Sequence, residues 1–109
     1  MKIDNLAARI ETIAPLTMQE PWDHSGWQLR LTDGEIHSVL IALEINEQVI
    51  DEAIGRGAEL ILTHHPLLFT PIAEIDCNTV LGNHIMKLMQ HQISVYATHT
   101  PFDKCAGGN

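Results

Sequence analysis

The residues best suited to chemistry stand in two short groups, His64-His65-Pro66 and, about 35 residues on, His99-Thr100-Pro101-Phe102-Asp103. Imidazole and carboxylate together are donors for Zn, Fe, Mn, Co or Ni, and they do not select among these ions. A lone histidine beside an apolar run is most often a structural residue. Two adjacent ones are harder to assign to packing. Neighbours on an extended chain point to opposite faces, so both reach one site only where the backbone turns. Pro66 forces that turn, because it drives His65 out of helical space and cannot continue a strand ladder. Neighbouring imidazoles that diverge also suit two ions better than one.

The elements that must carry these groups can be read from periodicity. Asp4 is a candidate N-cap for a helix over about 5–13, with Leu6, Ile10 and Ile13 along one stripe, ended by Pro15. Trp22 and Trp27 flank a turn at Asp23-His24-Ser25-Gly26. Alternation in Trp27, Leu29 and Leu31 predicts a short strand, and Asp33-Gly34 a turn. The continuous apolar run 36–45 predicts a strand buried on both faces, as in parallel sheets. Asn46 caps a helix over 48–56 that stops at Gly57. A strand over 59–63 follows and ends at His64-His65. A strand–helix–strand unit this tight implies a parallel crossover. A third helix over 79–91 then leads to a strand over 93–97, which ends at His99 and Asp103. If the last two strands are neighbours, His64, His65, His99 and Asp103 gather at one sheet edge, where open α/β sheets bind ligands. The fold class expected is α/β: a mostly parallel sheet flanked by helices, one domain over 1–109.

Composition narrows the class. The chain has 109 residues, 45% of them hydrophobic, enough for one domain with a core. Fourteen acids against six bases give a net charge of −8. With no run of Lys and Arg, a nucleic-acid partner is not expected. Seven histidines are roughly threefold above ordinary usage. Cys77 and Cys105 have no CxxC spacing and read as reduced thiols. The N-terminus is amphipathic and carries acids, unlike a signal peptide, and no apolar run approaches the roughly 18 residues of a membrane span. A soluble, cytoplasmic protein without membrane contact is expected. The last residues, 104–109, are loop-like, where a covering helix would be the usual next element; this predicts a fragment or truncated reading frame.

An HHP followed at this distance by HTxxD, each at a strand end, resembles the Nif-three-like family, also labelled GTP cyclohydrolase 1 type 2 homologues. The resemblance covers nearly the whole chain, as the N-terminal portion of the family fold. It rests on Glu20 to Gln28, on Ala42 to Asn46, on Gly57 to Phe69 and on Val95 to Gly108. It implies a site for two divalent metal ions, with His64, His65 and Asp103 as ligands and Asp103 bridging. It places His99 near the site, in a supporting or catalytic role. The family's further His and Glu, in an HxxxE pattern, do not occur here, and family members are more than twice this length and assemble as hexameric rings. His24, Glu44 and Pro101 depart from the family's usual Asn, Asp and Asn. His24 adds an imidazole without an assigned role.

Two functions follow as expectations. One is metal-dependent hydrolysis of a small molecule, a nucleotide if the cyclohydrolase label holds, since paired ions polarise water and stabilise a leaving oxygen. No phosphate-cradling glycine loop precedes a helix here. The other is a non-catalytic, metal-stabilised scaffold that engages a protein partner.

Overall fold

The computed structural model describes residues 1–13, 26–68 and 72–98. His24, His99, Asp103 and Cys105 lie outside them, as does the expected turn between the two tryptophans. Helix α1 spans Ile3–Ile13, α2 Glu47–Arg56 and α3 Val80–Gln90; strands β1 (Gly26–Leu29), β2 (Val39–Ala42), β3 (Leu60–Thr63) and β4 (Ser94–Ala97) form one sheet. The sheet order is β1-β4-β3-β2. Strands β2, β3 and β4 run parallel, and β1 closes the far edge antiparallel to β4. The class is the expected one, α/β with a mostly parallel sheet. Both expected neighbours, β2 with β3 and β3 with β4, are found.

Local chemistry explains the helices. Asn46 is extended, and its side chain accepts from the Val49 amide, replacing a partner the first turn lacks. Gly57 adopts φ 69° and closes α2 with left-handed backbone that a side chain would strain. Thr79 caps α3 in the same way as Asn46, its hydroxyl accepting from the Gly82 amide at 2.9 Å. That hydroxyl also donates to the Asp76 carbonyl at 2.8 Å, so the turn and the helix start are one hydrogen-bonded unit. Helix α1 begins earlier than Asp4. Met1 and Glu35 flank the cause: the Ile36 amide donates to Met1 O, and Lys2 forms a bridge with Glu35. Tertiary pairing of the N-terminus, not a side-chain cap, sets the start.

Cross-strand rows sort the two faces. Leu29, Val95, Ile61 and Leu40 stand in register and meet Ile50 and Ala53 of α2 with Ile85 and Leu88 of α3. The next row, Trp27, Tyr96, Leu62 and Ile41, faces the other way. There Ile3, Leu6, Ala7 and Ile10 of α1 cover its β1–β4 end. Trp27 and Tyr96 meet edge to face, centroids 5.1 Å apart, a contact worth about 1 kcal/mol beyond its area.

One expectation fails here. The run 36–45 is not a strand buried on both faces: β2 is four residues long and forms the sheet edge. Ile41 is 76% exposed and Leu43 66%, because α1 does not reach that end of the row.

Two outcomes follow from this packing. A Cβ on Gly82 would collide with the Asp76 carbonyl and stand 2.8 Å from Thr79 Oγ1. Gly82→Ala should therefore cost about 1–3 kcal/mol in urea unfolding, although Ala is favoured over Gly by about 1 kcal/mol in a free helix; unchanged stability would refute the close approach. Tyr96, the single tyrosine, has its hydroxyl pushed up to about 12 by burial, with the Glu11 carboxylate of α1 adding to the rise. Its neutral form is the one the fold keeps, so this stability is complete below about 10, the ordinary tyrosine value, and is lost as pH rises toward about 12. Absorbance titration of tyrosinate should show one transition near that upper value, and a midpoint near 10 would contradict the buried assignment.

Candidate functional site

The carboxyl ends of β2 and β3 hold the described part of the site. Parallel pairing does not stop at the last strand residue. The His64 amide donates to Ala42 O at 3.1 Å and the His65 amide to Leu43 O at 2.8 Å. Both histidine backbones are therefore carried on the β2 edge, and only their side chains are left for chemistry. Thr98 N donates to Thr63 O at 3.0 Å, which ties the end of β4 to the same place. The sheet thus sets Thr98, just past β4, beside the end of β3.

Thr63 fixes the turn. Its buried hydroxyl donates to His65 O at 3.0 Å and lies 3.3 Å from Leu43 O. On the far side, Gln28 Oε1 of β1 accepts from the Leu68 amide at 2.9 Å and pins the chain just past Pro66. Neither role was visible in the sequence: an isolated Thr at a strand end and a Gln after a Trp carry no periodic signal. Their only signal was that both fall in segments that carry the family resemblance, Glu20 to Gln28 and Gly57 to Phe69.

The imidazole rings of His64 and His65 lie 5.0 Å apart, centroid to centroid, tilted by 45°. They open onto different hollows. His64 lines a groove of about 450 Å³ on the α1 side with Ile41, Leu43, Leu62 and Thr98. His65 lines a cavity of about 340 Å³ on the α2–α3 side with Glu44, Leu67, Leu81 and His84. The divergence expected of neighbouring residues is found, and the turn at Pro66 keeps the rings close. Imidazole nitrogens bind zinc-class ions at about 2.1 Å, so rings this close can serve one ion or two adjacent ones. The donor chemistry fits a metal. Among the described residues no group of three or more His, Cys, Asp or Glu side chains is placed to hold one. The structure brings His64 and His65 together; Asp103 and His99 lie outside what it describes.

The model of the Duf34/NIF3 family (NGG1p interacting factor 3) matches residues 1–109. The chain belongs to that family. A Clostridium perfringens relative named GTP cyclohydrolase 1 type 2 homolog is 42% identical over 108 residues, 99% of this chain and 41% of its own length. Among solved structures, a Staphylococcus aureus hypothetical protein superposes with a TM-score of 0.88 at 37% identity, over 94% of this chain and 34% of that one. Reduced HcgD from Methanocaldococcus jannaschii superposes with a TM-score of 0.86 at 35% identity, over 94% of this chain and 41% of its own. The NIF3 chain described here thus spans about two fifths of the length of the clostridial relatives it matches. No helix among its described residues is long and apolar enough to cross a membrane.

If Thr63 anchors the histidine turn, Thr63→Val should cost about 1 kcal/mol and speed hydrogen exchange at the His65 amide. Exchange as slow as in the parent chain would show that the β2 pairing alone fixes the turn.

Proposed function

We propose that this chain contributes to a centre of two divalent metal ions that serves hydrolysis of a small molecule, in the cytoplasm. The observation that carries the reading is the paired imidazoles, 5.0 Å apart at the carboxyl end of β3, with their backbones held by β2. His64 and His65 would be ligands, Asp103 a bridging carboxylate and His99 a group beside them. Bound Zn, Fe, Mn, Co or Ni would supply Lewis-acid polarisation of substrate and water. The chain's own contribution is preorganisation: Thr63 and the strand pairing hold the backbone of both histidines without help from the ligand. A nucleotide substrate is suggested by the relatives' name, GTP cyclohydrolase 1 type 2 homolog. A homo-oligomer, hexameric in the family, is the proposed assembly.

A second reading has its own support. The uncovered Val39, Ile41 and Leu43 on the β2 edge are the kind of apolar strip found at protein contacts, which favours a metal-stabilised scaffold.

Elemental analysis of protein purified without chelator, beside assays of a nucleotide panel with Mn, Zn or Fe, separates the readings. His64→Ala and His65→Ala should each lower metal content while leaving the circular dichroism spectrum in place, since both side chains are partly exposed beyond the end of β3. A variant that unfolds yet keeps its metal would reverse the assignment. Turnover absent with every metal, beside full metal content, would favour the scaffold.

A further inference from the structure

The cavity on the α2–α3 side has features that ligation by His65 does not explain. It lies between the end of β2 and the start of α3, in the crevice where α/β sheets take ligands. Its volume of about 340 Å³ falls in the range of small-molecule sites. Ile45, Leu67, Val80 and Leu81 give it apolar walls, and two polar side chains beyond the histidine pair complete it: Glu44 from the end of β2 and His84 from the second turn of α3. Among the described residues neither Glu44 nor His84 has a hydrogen-bond or ion-pair partner. The adjoining hollow, which shares Val80 and His84, is lined by Glu47 as well. Among the described residues no Lys or Arg lines either space, and Lys87 stands 3.8 Å from Glu47.

We propose that this cavity is a subsite for a flat, nitrogen-bearing group of the amidine class, cationic or rich in N–H donors, seated between the apolar walls with Glu44 accepting its N–H groups and His84 packing beside it. The charge pattern decides the class. A carboxylate without a cationic side chain beside it stabilises an N–H donor and disfavours an anion at that end of the cavity. A planar amidine presents two parallel N–H donors, which match the two oxygens of one carboxylate. Because His65 lines the same space, a ligand seated here has its remainder beside the histidine pair. That link to chemistry rests on the metal-centre reading; the subsite itself does not.

Benzamidine and benzoate, alike in shape and opposite in charge, test the proposal in chelator-treated protein with methyl and imidazole resonances labelled. Benzamidine should shift Leu67, Leu81 and His84 signals saturably, and benzoate should not. Glu44→Gln should weaken benzamidine severalfold, the loss of one solvent-facing charge-assisted interaction, and His84→Ala by a smaller factor. Glu44 is exposed, so its variant should fold as the parent does. Equal binding of benzoate, an unaffected Glu44→Gln variant, or shifts mapping to another face would overturn the subsite. Zn added afterwards distinguishes the two readings. Benzamidine binding with no Zn response at His64 and His65 would keep the subsite and discard the metal centre. Zn response there without benzamidine binding would do the reverse.

Discussion

Strand β3 is the constraint on which the molecule depends. It is the only strand among those described that is paired in parallel on both sides, with β2 and with β4. Leu60 and Ile61 are fully buried on opposite faces, one under α1 and one under α2 and α3. A one-residue slip of β3 would exchange those faces and bury the wrong set of side chains on each. The same register sets where the strand runs out. It places His64 against Ala42 and His65 against Leu43, so the position of the histidine pair is a consequence of core packing.

The helices pack on this frame, and electrostatics plays a lesser part. Lys87 of α3 pairs with Asp51 of α2 and stands 3.8 Å from Glu47, and Arg30 pairs with Asp4 and Asp33. These ion pairs are solvent-facing and individually worth at most about 1 kcal/mol. Burying one Leu or Ile is worth about 1.5–3 kcal/mol, and each face of the sheet buries several. The Lys87 pairs join α2 to α3 and the Arg30–Asp4 pair joins α1 to the segment after β1, while apolar burial supplies the stability.

How much was legible in the sequence follows from which forces are local. Asn46, Gly57 and Thr79 act on residues within four positions of themselves, and their helix ends were readable to within a residue or two. That β2, β3 and β4 are neighbours was readable because short crossovers leave few choices; the place of β1, antiparallel beside β4, was not. The edge status of β2 was not. A continuous apolar run reads the same whether a neighbouring layer covers it or not, and the covering of Ile41 depends on how far α1 extends, a tertiary fact. The early start of α1 was hidden for the same reason, since the partner of Met1 is Ile36. At the site, the histidine pair announced itself by residue type. Thr63, Gln28, Glu44 and His84 did not, because each matters through a neighbour distant in sequence.

The two histidines show how polar side chains can stand at the end of a buried strand. Polar side chains in a core must be partnered or they destabilise it. Beyond the last ladder residue the backbone share of that cost falls away, because the amides of His64 and His65 are already satisfied by the β2 carbonyls. Stability resides in the row of Leu29, Val95, Ile61 and Leu40 and in the layers on either side of it. The candidate site residues, His64 and His65, stand one and two positions beyond Thr63, the last residue of β3. Ring identity can then change with little effect on the core, whereas the spacing from Ile61 to His64 cannot, since a single inserted residue would turn both imidazoles to the opposite faces.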